Sequence, residues 1–240
     1  VARAGLGASE SMRSKLAEYN DPRLSRAFIT KQGTSGKEQA PGTADNAVYA
    51  PNGTPEQGTS KYGTSLFMYS ISAPTLLLSY HELKFLEAEA LCRLERDAKS
   101  ALKDAVVAGL LNAENSFTIS RKELGKTLIN AASSITEAEA ESYFDNTIEA
   151  KYTAEPLKTT MTQKYFALWG ASGEATESYN DVRRMKGLGE NFIELKNPNS
   201  FPLRCPYGNS DTTTNAEVKA AYGNGQYVYS ENVWWAGGSR

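Results

Sequence analysis

Glu177 and Asp181 stand four residues apart in ESYNDVRRMK, a spacing that places both carboxylates on one face of a helix, near enough to perturb each other as in a glycoside hydrolase pair. Arg184 follows three residues after Asp181 and neutralises it. An acid and a base that flank a glycosidic bond usually come from separate elements, so Glu177, Asp181, Arg183 and Arg184 read instead as an ionic network pinning a helix to nearby loops. The remaining catalytic inventory is thin. The one histidine, His81, falls in the expected exposed first turn of a helix, and neither G-x-S-x-G nor H-E-x-x-H occurs. GTSGKE invites a phosphate-loop reading, but Lys31 stands where the first glycine is required and Glu38 replaces the magnesium-binding hydroxyl. No catalytic residue, metal set or cofactor is expected.

Carbohydrate recognition suits the residues better. Sugars offer apolar C–H faces that pack on aromatic rings and hydroxyls that want amide, carboxylate or guanidinium partners. The C-terminal stretch supplies Tyr222, Asn224, Gln226, Tyr227, Tyr229 and Asn232, and the polar stretch 33–63 adds Tyr49, Asn52, Gln57 and Tyr62. Tyr227 and Tyr229 alternate with Val228 as in a strand, so one face would carry both rings. Trp234 and Trp235 read as core-packing or anchoring residues. The ligand-contacting candidates are therefore Tyr222, Asn224, Tyr227, Tyr229 and Tyr62.

Helices must position these groups. The 240 residues, 40% hydrophobic and 22% charged with a net charge of -2, suffice for a substantial core and carry no basic excess that would point to a nucleic acid. No apolar run reaches the roughly 18 residues needed to cross a bilayer. Cys92 lies on an apolar helical face and Cys205 in a Pro-rich loop, a pairing that sequence leaves open.

Ser9 caps an expected helix over 10–17 with Met12 and Leu16 inward, ended by Asn20-Asp21-Pro22. Residues 33–63 read as one long surface loop. Leu66–Tyr69 and Thr75–Leu78 read as short extended segments around Pro74. Three capping boxes follow, Ser79 with Glu82, Ser120 with Glu123 and Thr136 with Glu139, the first stapled by Leu78 and Leu83. They predict helices over 80–96, 121–132 and 137–152, and Asp97 caps a further one over 98–115 whose Ala101, Ala105 and Ala108 suit close tetratricopeptide-like packing. In 160–186 two helices meet at a corner. Met161, Tyr165, Leu168 and Trp169 face inward before it, and Ala175, Tyr179, Val182 and Met185 after it. Gly170 supplies the left-handed stop and Ser172 the next cap. Beyond residue 187, Gly and Pro punctuate a tail expected to hold loops and short strands. The organisation is thus a loop-rich lead-in (1–78), a helical array (79–187) and a loop-rich tail (188–240).

Several of these stretches, in order, resemble the SusD/RagB family of outer-membrane nutrient-binding lipoproteins, and specifically its SusD-like branch. They are NDPRL with Asp21, Pro22 and Arg23, HELKFLEAEALCR, QKYFALWG with Gln163 and Lys164, ESYNDVRR, the Arg204–Tyr207–Asn215 segment and the closing VWWA. Tyr179 replaces a common tryptophan, and Pro206 precedes Tyr207 where the family has the reverse order. The resemblance implies a mostly α fold, a tetratricopeptide-like helical array with long irregular loops and a few short strands. It also implies a C-terminal half whose lipid anchor lies in a missing N-terminal portion. The implied function is cell-surface binding of oligosaccharides or peptides and their delivery to a TonB-dependent, SusC-like outer-membrane transporter, without chemistry and without nucleic acid. The alternatives are a helical-repeat adaptor for a protein partner and, third, a glycoside hydrolase using Glu177 or Asp181.

Overall fold

The computed structural model describes residues 7–32, 37–39, 49–53, 62–124, 133–196, 200–225 and 227–238. They fall into two compact units, Val1–Leu195 and Lys196–Arg240. The first unit opens with α1 (Glu10–Glu18), where the Ser9 hydroxyl accepts the Met12 N–H and Met12 and Leu16 turn inward as their spacing requires. A turn through Asp21 leads into β1 (Phe28–Gln32), the centre of a small antiparallel sheet with β2 (Lys37–Gln39) and β3 (Thr64–Ser65) in the order β2-β1-β3. Phe28 pairs with Ser65 and Thr30 with Gln39. β2 corrects the reading of 33–63 as uninterrupted loop: three residues are too few to display a period of two. The GTSG segment and Gln57 lie outside the described residues.

Leu66–Tyr69 is a 3-10 turn and not an extended run, because the Ser65 hydroxyl accepts the Phe67 N–H and tips the chain over. Thr75–Leu78 forms no strand either. The helices follow: α2 (Tyr80–Arg93), α3 (Lys99–Leu124), α4 (Glu137–Tyr143), a π-helical turn Phe144–Ile148, α5 (Glu149–Ala154), α6 (Pro156–Leu168) and α7 (Glu177–Gly187). Asp97 accepts the Lys99 N–H at the start of α3, and the Tyr152 hydroxyl donates to the same carboxylate. Non-helical backbone at Glu155, where the following Pro156 disfavours the helical region, separates α5 from α6.

α3 runs through the site where Ser120 was expected to start a new helix. Instead of capping, the buried Ser120 hydroxyl donates to the Ser116 and Leu66 carbonyls, a back-bond that lets serine sit mid-helix. The two true caps also depart from the box pattern. Ser79 accepts the Glu82 N–H and Thr136 the Glu139 N–H, but the Ser79 N–H goes to Glu174 and the Glu139 carboxylate takes Arg26.

α2, α3 and α6 pack on one another around a core that includes Phe85, Leu102, Ala105, Leu110, Phe117 and Phe166. Each such fully buried Phe or Leu side chain contributes about 1.5–3 kcal/mol. A Cβ on Gly109 would stand 3.0 Å from the Ala167 Cβ, so small residues set the closeness of α3 to α6. A second focus is aromatic: Phe28 stacks on Trp169 at 5.3 Å, and Phe67 meets Trp169 edge-on at 5.0 Å and Phe117 at 4.8 Å. At the corner Gly170 is left-handed, as its sequence position predicts, and a Cβ there would strike the Phe67 ring. Ser172 does not cap: it sits at φ 52 inside the 3-10 turn Ser172–Thr176, and neither helical start there has a side-chain cap. Among the described residues no helix is long and apolar enough to cross a membrane.

The second unit holds two short helices, α8 (Asn209–Thr214) and α9 (Ala216–Tyr222), and a 3-10 turn Trp234–Ala236; its described residues include no strand, contrary to expectation. Asn215 decides this locally, because its side chain accepts the Glu217 and Val218 N–H groups and starts α9. The protein is mostly α, a helical array with irregular connections and short strands.

Candidate functional site

The Asp21-Pro22-Arg23 turn is the best-satisfied ionic element. Arg23 grips Asp21 with two parallel bonds, Nε to Oδ1 at 2.8 Å and Nη2 to Oδ2 at 2.6 Å, and its Nη1 donates to the Phe166 carbonyl at 2.7 Å. Burial pulls the guanidinium pKa down, but the adjacent Asp21 carboxylate outweighs it and the net shift is upward. The pair ties the chain after α1 to the end of α6.

The carboxylates considered for catalysis are engaged elsewhere. Asp181 receives Lys164 at 2.8 Å and Arg184 at 2.8 Å, and Arg184 continues to Glu89, which also takes Arg93 at 2.7 Å. Glu89 is buried. Burial raises its pKa, yet bonds from Arg184 and Arg93 leave it lowered overall. Glu177 accepts from Asn180 at 3.3 and 3.2 Å, and Arg183 lies over the Tyr179 ring at 5.6 Å. The network pins α7 to α2 and α6 and, through Arg93 and Glu190, to the loop that follows α7; Tyr179, expected inward, is exposed. A general acid or base needs an open carboxyl beside a cleft, and Asp181 offers none.

His81 corrects the sequence reading most sharply: it is 2% exposed, with Nε2 3.6 Å from the buried Glu174 carboxylate. Burial lowers its pKa, Glu174 opposes and Arg23 assists. Beside it, the Glu82 carboxyl is pushed up to about 7, first by burial and then by its hydrogen bond to Glu174, with Lys164 pulling the other way. Glu174 also accepts the Ser79 N–H. Neither Glu82 nor Glu174 lines the adjoining cleft of ≈ 250 Å³, which is bounded by Ser70, Asn112, Asn115, Ser116 and Ser172. Glu82 and Glu174 therefore fasten the start of α2 to the corner before α7. Glu89, Lys164 and Glu174 were missed as anchors because their partners lie far away along the chain.

Among the described residues of that stretch, Tyr62, Tyr49 and Asn52 are engaged within the unit. Tyr62 is 6% exposed, Tyr49 packs edge-on against Phe28 at 5.3 Å, and Asn52 accepts from Ser9 at 2.9 Å. Rings with an apolar core within reach are withdrawn from solvent. In the second unit Tyr222 stacks on Tyr207, centroids 4.3 Å apart, and Arg204 covers the Tyr207 ring at 4.8 Å. Asn224 is exposed and Tyr227 half-buried. Residues 227–230 form a turn closed by the Ser230 and Glu231 N–H groups on the Tyr227 carbonyl, so the alternation expected of a strand is lost. Tyr229 is 56% exposed, and Trp234, expected to pack in a core or to anchor the tail, is 74% exposed and so not core-packed. Sequence gave no sign of which tail aromatics stand in solvent. Both cysteines are free.

A model of SusD-like proteins, described as starch-binding and associating with the outer membrane, matches residues 2–207. A solved SusD/RagB family protein from Bacteroides thetaiotaomicron is similar at 65% identity and a TM-score of 0.85, over 96% of this chain and 50% of its own. A solved outer membrane protein from Bacteroides vulgatus, connected with nutrient binding, shares the fold at 21% identity and a TM-score of 0.59, over 94% of this chain and 50% of its own. The chain thus spans about half the length of these structures. No curated protein matches. The ordered motifs, the helical array and the family match agree: the chain belongs to the SusD-like family, whose members are described as starch-binding and associated with the outer membrane.

Proposed function

We propose that this chain is part of a cell-surface protein that captures oligosaccharides, or peptides, and passes them to a TonB-dependent, SusC-like transporter in the outer membrane. A lipid anchor outside these 240 residues holds it there. The match of residues 2–207 to a starch-binding, outer-membrane family carries the reading. The tail supplies the means: Tyr229 and Trp234 offer exposed ring faces to sugar C–H groups, and Tyr222, Asn224 and Tyr227 lie in the same unit. Capture and hand-over break no bond, and the closed Asp181–Lys164–Arg184 network fits that role better than hydrolysis.

Calorimetric titration of the chain with maltooligosaccharides, alongside a glycan array and a peptide panel, tests the proposal. Binding lost in Tyr229→Ala and Trp234→Ala, with the melting curve unchanged, supports it. Binding to neither panel, or binding indifferent to both substitutions, would count against the tail as the site.

A further inference from the structure

Arg204 stands apart from Arg23, Arg26, Arg93, Arg121 and Arg184, each of which holds a carboxylate. Its Nε and Nη1 are shut off from solvent, and among the described residues neither has a hydrogen-bond partner. A guanidinium with buried, unmatched N–H groups is costly, because the cation has given up water without gaining an acceptor. The fold nevertheless holds it in place. The Leu203 N–H donates to the Val228 carbonyl at 2.8 Å and the Tyr207 N–H to the Gly225 carbonyl at 3.2 Å, so the chain is laced to residues 225–228 on either side of Arg204. Gly225 is left-handed at φ 70, and a Cβ there would stand 2.8 Å from the Tyr207 Cβ, an approach that glycine alone allows. Arg204 lies over the Tyr207 ring at 4.8 Å, and Tyr207 stacks on Tyr222 at 4.3 Å. Arg204, Tyr207 and Tyr222 are all half-buried, and so within reach from solvent.

We propose that Arg204 is the anion-binding residue of the tail and that the oligosaccharide captured there is acidic, built from uronic acid units whose carboxylate pairs with the guanidinium. The inference rests on the reading of the tail as the capturing unit and narrows its ligand. A carboxylate is the acceptor that a planar guanidinium fork matches with two parallel bonds, as Asp21 does for Arg23 within this chain. The rings supply the rest of the recognition. Along an acidic oligosaccharide one unit sets its carboxylate on Arg204 while a neighbouring unit packs a C–H face on the tyrosines of the tail, half-buried Tyr222 or exposed Tyr229. A neutral sugar offers hydroxyls alone and leaves the cation without a counter-charge.

The test is calorimetric titration of the 240-residue chain with oligogalacturonate, its methyl ester, in which the same carboxyl is uncharged, a maltooligosaccharide of equal length and an acidic peptide. Oligogalacturonate is expected to bind at least about tenfold more tightly than its methyl ester, with an advantage that shrinks as salt is raised and is lost in Arg204→Gln while binding of the neutral sugar is unchanged. Arg204→Lys, which keeps the charge without the fork, is expected to recover only part of the advantage. Since its buried nitrogens have no partner among the described residues, ligand-free Arg204→Gln is expected to melt no lower than the parent. A merely structural arginine would lower the melting temperature and weaken both sugars alike, which would overturn the proposal. Maltooligosaccharide binding as tight as that of oligogalacturonate, or a preference left intact by Arg204→Gln, would overturn the acidic ligand and leave glycan capture standing. Binding of the peptide alone would overturn it in favour of a peptide ligand, and binding of none of the four would overturn both readings.

Discussion

Arg23 and Arg204 both lie against aromatic rings, Arg23 at 5.9 Å from Phe166 and Arg204 at 4.8 Å from Tyr207, yet the two regions put them to different use. Around Arg23 everything is buried and the guanidinium is spent on Asp21 and the Phe166 carbonyl. Around Arg204 the ring stack is half in water, with Tyr229 and Trp234 exposed in the same unit. Burial decides whether arginine, tyrosine and acid serve as internal fastening or stay open to solvent.

Removing the fastening has the largest expected effect. Arg23→Met leaves Asp21 buried without its counter-charge and is expected to cost about 3–5 kcal/mol in chemical denaturation. A loss below about 1 kcal/mol would erase the contrast with the tail. Next comes a matched pair of glycines, both left-handed. Gly170→Ala adds a Cβ against the Phe67 ring and is expected to cost about 2–4 kcal/mol, whereas Gly237→Ala at φ 85 meets nothing within 4 Å and pays only the backbone term of about 1–2 kcal/mol. Equal losses would mean that the corner is as tolerant as the tail.

A smaller effect depends on pH. Glu82 has a folded pKa of about 7, above its ordinary 4.5, so the folded state binds more protons in that window. Its contribution is fully present below the unfolded pKa and is lost as pH rises through about 7. His81, lowered by burial, acts in the opposite direction and loses stability as pH falls. The difference between parent and Glu82→Gln isolates the carboxyl: parent stability is expected to fall relative to the variant between pH 5 and 8, followed by urea denaturation. A parallel pair of curves would remove the Glu82–Glu174 fastening from the account. The smallest stability effect is expected for Trp234→Ala, within about 0.5 kcal/mol of the parent, since its ring is mostly in solvent.

Local signals were legible wherever one side chain and its near neighbours settle the matter. Ser9, Ser79 and Thr136 accept the N–H three residues on, Met12 and Leu16 turn inward, and Gly170 is left-handed. Those relations span a single turn of chain. Ser120 shows where the method fails: the same Ser-x-x-Glu spacing sits inside α3 because the Leu66 carbonyl, 54 residues away, accepts its hydroxyl. The burial of Tyr62 and the exposure of Trp234 were illegible for the same reason, since whether a ring is inside or outside depends on what folds over it.

By itself the sequence determined the helical character, the helix starts at Ser9, Ser79 and Thr136, and the family, all of which reside in short-range spacing and ordered motifs. Tertiary structure alone decided which face of α2 is buried. Periodicity showed two faces, and a rule of hydrophobic residues inside would have chosen Leu83 and Leu86. The fold chose His81, Glu82 and Glu89, because Arg184 and Arg93 pair with Glu89 while burial favours the neutral forms of His81 and Glu82, so little uncompensated charge is buried.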